Sequence, residues 1–173
     1  MTQRDTARRR PQPPTGWRRQ AARLPILLFR AGLGPLFGKR FLLLHHTGRA
    51  TGLDRMVVLE VMSYEPVDRS WTVACSFGPE ADWYRNLREE PKTLIQFGNR
   101  PHAVTARFLP PDEGAEVMVG YAHRHPRTAL RLCAFMGLPA DGGKASFREA
   151  GRSIPFVRLE AALGQRGHTR GRA

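Results

Sequence analysis

The chain has 173 residues, 41% of them hydrophobic and 25% charged, with a formal net charge of +13. That length and composition suit one globular domain with a single core, and no apolar stretch approaches the roughly 20 residues of a membrane span. Residues 1–20 hold six arginines against one aspartate and residues 161–173 hold three arginines and no acid, so the two ends carry eight of the thirteen excess charges; with no RNA-recognition motif, zinc finger or helix-turn-helix in the body, a nucleic-acid partner is excluded.

Residues 1–17, with Arg8-Arg9-Arg10 and three prolines, cannot bury apolar surface and are expected to form a disordered basic arm. In residues 18–37, Leu24, Leu27, Leu28 and Leu33 fall near one helical face, and Gly32, Gly34 and Pro35 should end the helix. Two readings of that helix stand: it packs on the body of the domain, or it lies on anionic lipid. The run Leu24 to Phe29 is short and is followed by no clean cleavage site, so export is rejected. Cys75 and Cys133, the only cysteines, make neither a disulfide framework nor a zinc site, and fit a reducing cytoplasm. The expected location is cytoplasmic, with peripheral contact at an anionic membrane.

Phe41 to Leu44 is an apolar run of strand length, and Met56 to Met62 is a second, rich in valine. Between them lies Thr47-Gly48-Arg49-Ala50-Thr51-Gly52-Leu53-Asp54-Arg55, which reads as a loop joining two strands. Its backbone N–H groups, hydroxyls and two guanidiniums are chemistry for holding an anion; the plainer reading is a surface hairpin with charged tips. His45 and His46 are neighbours at a strand end, so only one of them can point inward.

Strands are expected at about 41–46, 55–63 and 70–76, with turn chemistry at Glu65-Pro66-Val67-Asp68. A short helix follows from Pro79 to Arg88, with Trp83 and Leu87 on one face. Strands at about 93–97 and 102–109 flank the turn Gly98-Asn99-Arg100-Pro101. Pro110-Pro111-Asp112-Glu113 starts a helix that reaches about His123, and another spans about 126–137. A short helix at 145–150 precedes a last strand at 153–159. Turns this short exclude parallel crossovers. The fold class is therefore mainly β (α+β): a small antiparallel barrel with helices covering one face and the ends.

Several of these stretches together resemble a known family. Thr-Gly-Arg-x-Thr-Gly-x-x-Arg at 47–55, Trp71 to Gly78 with its Ala-Cys-Ser-x-Gly turn, Asp82-Trp83-Tyr84-Arg85-Asn86-Leu87, Glu90 to Gly98, Ala103 to Arg107 and Ser153 to Leu159 are similar, in order, to the deazaflavin-dependent nitroreductase family, whose members use coenzyme F420. The resemblance covers roughly residues 22–160 and implies the split β-barrel of the flavin-reductase type. With the composition of the two ends, the expected division is a disordered basic arm at 1–17, one cofactor-binding domain at 18–160 and a disordered basic tail at 161–173. The resemblance implies a reductase that moves hydride to a quinone, nitroaromatic or enone; members often pair as homodimers.

By the same resemblance, Arg49 and Thr51 take the phosphate end of the coenzyme, and Arg55 reaches it from the next strand. Backbone at Met56, Val57 and Val58 and at Ala74, Cys75 and Ser76 edges the ring. Ser76, Gly78, Trp83 and Tyr84 match the second cofactor segment. No catalytic residue and no metal is implied. Trp83 keeps two readings, a core anchor or a stacking platform. Tyr121, His123 and His125 lie by analogy near the substrate. Ala50 departs from the family, which commonly has lysine or arginine there, and Phe77 departs from some members, which have lysine; both leave open a relative loaded with flavin mononucleotide, haem or a lipid-like ligand.

Overall fold

A computed structural model describes residues 38–161. The expected arm at 1–17, the helix expected over 18–37 and the tail, apart from Ala161, lie outside the described residues. Six strands and four helices follow in chain order: β1 (Phe41–Thr47), β2 (Asp54–Glu65), β3 (Ser70–Ala74), α1 (Asp82–Glu89), β4 (Lys92–Phe97), β5 (Arg100–Phe108), α2 (Pro111–Arg124), α3 (Pro126–Phe135), α4 (Lys144–Ser153) and β6 (Phe156–Ala161). The strands form the expected antiparallel barrel, closed in the order β1-β2-β3-β6-β5-β4. Alternate residues such as Leu42 and Leu44, Trp71 and Val73, and Val157 and Leu159 fill its interior.

The twelve-residue β2 has two partners. Asp54 to Glu60 pair with β1, whereas pairing with β3 begins only at Val61 and slips at a bulge before Ser63. Arg124 Nη2 donates to the Met62 carbonyl at this bulge, at 2.7 Å. Leaving β3, the chain stays with the β6 side: Cys75 N–H donates to Pro155 O at 2.8 Å. The edge of β2 from Asp54 to Glu60 that faces away from β1 pairs with no described strand, and the chain turns at 75–78 where β3 stops; the stretch between that edge and this turn is termed the slot.

One barrel end is closed by α1, through Trp83, Tyr84 and Leu87. The other is plugged by aromatic rings, with Tyr64 stacked on Trp71 at 5.4 Å and His102 against Trp71 at 4.8 Å. A second core lies under α2, α3 and α4, with Met118, Tyr121, Phe147 and Phe156 buried in it. Helices α2 and α4 cross closely there: a Cβ on Gly151 would lie 2.7 Å from Ala115 Cα. Among the described residues no helix is long and apolar enough to cross a membrane.

Boundaries move for local reasons. β3 stops at Ala74 because Gly78, at φ +80°, closes a turn onto Cys75 O. Ala81 N–H then donates to Gly78 O, so α1 starts at Asp82 rather than 79. β5 begins at Arg100, which shrinks the turn to Gly98 and Asn99. The helix expected at 145–150 runs on to Ser153, and the last strand starts at Phe156 instead of 153.

Candidate functional site

The loop between β1 and β2 is wound onto itself. Gly48 N–H donates to Leu53 O at 2.8 Å, and the Thr51 and Gly52 N–H groups donate back to Gly48 O at 3.0 and 2.7 Å. Gly52 takes φ +66°, which a glycine adopts without strain. At Gly48 the constraint is space: a Cβ would lie 2.6 Å from Thr51 Oγ1 and 3.0 Å from Arg55 Nε. A hydroxyl and a guanidinium thus converge over bare backbone. Arg55 makes no ion pair among the described residues. This is the arrangement that oxyanions occupy elsewhere in proteins.

Arg49 is held from the other side. Its backbone N–H donates to Asn86 Oδ1 at 3.2 Å, and its Nη1 reaches both Asn86 Oδ1 and Asp82 Oδ1 at 3.0 Å. Asp82 and Asn86, one turn apart on α1, therefore anchor the loop. Asn86 is 2% exposed, and its Nδ2 donates to His46 Nδ1 at 2.8 Å. His46 is the inward member of the histidine pair; His45 points outward toward Asp54 at 3.3 Å. Burial, reinforced by Arg55 directly across the strand pair, holds the His46 imidazole below the usual histidine range.

Across the slot, Cys75 is fully buried and its thiol donates to Gly78 O at 2.9 Å. Ala74, Ser76, Met56, Val57 and Val58 are half-buried, with Val57 turned into the barrel core. Trp83 and Tyr84 sit in that core, 7% exposed each, and Tyr84 packs edge-on against Phe108. Burial pushes the Tyr84 phenol up. Phe77 stands beside the slot and meets the α3 residue Phe135 edge-on at 5.6 Å.

Glu60 and Arg40 had no sequence signal. Glu60 on β2 accepts the Tyr121 hydroxyl at 2.6 Å and the Arg40 Nε at 3.0 Å. Burial and the Glu60 carboxylate push the Tyr121 phenol well up. His125 leans on the Tyr121 ring at 5.2 Å. His123 is elsewhere: with Arg124, Lys144 and Phe147 it lines a hollow of about 490 Å³ between α2, the start of α3 and the loop before α4. That hollow shares no residue with the loop or the slot, and the polar chemistry described above is at the latter. No group of three or more His, Cys, Asp or Glu able to hold a metal exists among the described residues.

Residues 29–129 match the model of the F420-H2-dependent quinone reductase family. No curated protein matches the chain in sequence. Among solved structures, an F420-H2 dependent reductase (FDR-A) is 22% identical, with a TM-score of 0.50, over 70% of this chain and 95% of that one. A chain solved as a domain-swapped dimer is 19% identical, TM-score 0.51, over 83% and 97%. A conserved hypothetical protein from Mycobacterium tuberculosis is 15% identical, TM-score 0.51, over 77% and 80%. At these identities the structural likeness speaks for the fold.

Proposed function

This chain belongs to the F420-H2-dependent quinone reductase family, and on that premise we propose that it binds coenzyme F420 along the slot beside β2 and passes its hydride to a quinone. The observation that carries this is the paired approach of Thr51 Oγ1 and Arg55 Nε over Gly48. The coenzyme has an anionic phosphodiester, and a hydroxyl and a guanidinium suit it; the N–H groups of Gly48, Arg49, Thr51 and Gly52 are already bonded and serve to hold the loop's shape. The unpaired edge of β2 supplies backbone donors and acceptors for a planar ring. The bound coenzyme supplies the hydride chemistry. The chain's part is to bind, orient and exclude water, the last through Met56, Val58 and Phe77.

The test is a titration of the purified chain with oxidised and reduced coenzyme F420, with flavin mononucleotide as competitor, followed by a quinone and nitroarene screen. Saturable binding of the deazaflavin in preference to the flavin is expected. Tight flavin co-purification with no response to coenzyme F420 would overturn the reading. One observation favours a second reading, a barrel loaded with flavin mononucleotide or an apolar ligand: Phe77 and Phe135 add aromatic surface where some relatives have a cation. The same titration separates the two.

A further inference from the structure

An asparagine on a helix face is usually solvated; Asn86 is buried, and a buried amide is costly unless both its ends are bonded. Its two ends face chemically distinct partners. On one side are the Arg49 N–H at 3.2 Å and the Arg49 guanidinium at 3.0 Å. Both are donors and neither can accept, so the amide oxygen must face them. The amide NH2 is then left for His46 Nδ1 at 2.8 Å. An NH2 group only donates, so Nδ1 must be the lone-pair nitrogen and the imidazole proton must sit on Nε2. The amide orientation and the tautomer both follow from the two Arg49 donors.

We infer that His46 is a positioning residue for the cofactor loop: in its neutral form, unprotonated at Nδ1, it orients the Asn86 amide, and that amide holds Arg49 and the loop against α1. The inference rests on the reading that the loop serves the coenzyme. It concerns a side chain the family resemblance assigned no role.

A second proton on His46 would set N–H against N–H. The Asn86 amide could satisfy the imidazolium only by turning its oxygen away from Arg49, so one proton exchanges one contact for the other. The charged surroundings are mixed. Arg55, across from His46 on β2, and His45, beside it on β1, oppose a positive imidazole; Asp54 on β2 and Asp82 on α1 favour it. Asp54 already faces His45, and Asp82 already faces Arg49. Burial adds to the opposing side. The sign follows by linkage: the held loop binds the proton less well than the released loop. It is therefore favoured above the ordinary histidine range and lost as pH falls through the depressed value.

The experiment uses the full chain without coenzyme first. Imidazole nitrogen and backbone amide resonances are followed by NMR from about pH 5 to 8, the span in which histidine titrates. His46 should show the Nε2–H tautomer and a midpoint below that of a free histidine, and the Arg49 amide and Asn86 side-chain resonances should move with that midpoint. The dissociation constant of coenzyme F420 is then measured over the same range for the parent and for His46→Gln, whose side-chain carbonyl accepts from Asn86 without titrating. The parent should weaken about tenfold across the His46 midpoint, as expected for loss of a buried hydrogen bond; His46→Gln should lose that inflection and keep only the titration of the coenzyme's own acids. A proton on Nδ1, an Arg49 amide blind to His46, or the same inflection in His46→Gln would overturn the inference. Should His46→Gln fail to fold, the parent's resonances still decide. Absence of coenzyme binding at every pH, with the His46, Asn86 and Arg49 resonances moving together, would remove the proposed cofactor and leave the positioning of the loop standing.

Discussion

The Thr51 hydroxyl and the Arg55 guanidinium meet over the Cα of Gly48, where a methyl group would lie 2.6 Å from one and 3.0 Å from the other. Gly48→Ala is therefore a test of the pairing. Both obstructing atoms belong to exposed side chains, one on the loop and one at the start of β2, so stability should change by less than about 1 kcal/mol. The anion cradle must open, and coenzyme F420 should bind about tenfold more weakly, about 1.4 kcal/mol. Thermal unfolding and a coenzyme titration on the same sample check both halves; unchanged binding would place the phosphate elsewhere.

The two arginines of the loop should separate. Arg55 is unpaired among the described residues, so Arg55→Ala should leave unfolding unaffected and weaken coenzyme binding by roughly 1.5–3 kcal/mol, the range for a charge-assisted hydrogen bond. Arg49→Ala should cost both. The exposed pair with Asp82 contributes little, but Asn86 loses the guanidinium donor to its buried oxygen. Urea unfolding alongside the titration distinguishes them. Equal, purely binding effects would mean that Arg49 is not structural.

Tyr121 predicts alkaline behaviour. Burial and its bond to Glu60 raise the phenol, so the folded state resists its ionisation. A raised phenol contributes stability that is full below the ordinary tyrosine value, about 10, and is lost as pH rises above it. Tyr121→Phe should cost about 1 kcal/mol at neutral pH, since the partly exposed Glu60 can regain water. It should also flatten the alkaline fall in stability. Unfolding midpoints from neutral pH to beyond pH ~10 would show this; a parallel fall in both proteins would assign it to other groups, Tyr84 among them.

What the sequence made legible was whatever repeats with a short period or breaks it. The strands alternate, the loop interrupts them with glycines, and the period of two put one histidine of the 45–46 pair inside. Long-range pairings were not legible. Nothing local to Asn86 announces a partner 40 residues away. A hairpin reading gives β2 one neighbour on each side throughout, whereas its change of partner near Met62 depends on where β3 ends. The helix expected at 145–150 continues through Gly151, where a Cβ would lie 2.7 Å from Ala115 Cα on the neighbouring helix. The candidate site follows the same division. The loop could be read from its residues, but its anchoring by α1, the slot and the Glu60–Tyr121 pair needed the fold.

Position 50 is where the family resemblance leads one to expect a cation and this loop has alanine, and it gives the most discriminating prediction. Ala50 is exposed, in a turn whose flanking residues Arg49 and Thr51 face α1 and the Gly48 cradle. If the cradle holds the coenzyme phosphate, a cation at position 50 lies within reach of it. Ala50→Lys should then tighten the full coenzyme by up to about 1.4 kcal/mol, a tenfold change. The gain should fade as salt is raised, because exposed charges are screened beyond about 8 Å at physiological ionic strength. A deazaflavin ring lacking the phosphate tail is the internal control and should gain nothing. Equal gains for both ligands would mean a general effect on folding. No gain for either, with Arg55 still required, would mean that position 50 points away from the phosphate, and that its alanine carries no weight against the family cofactor.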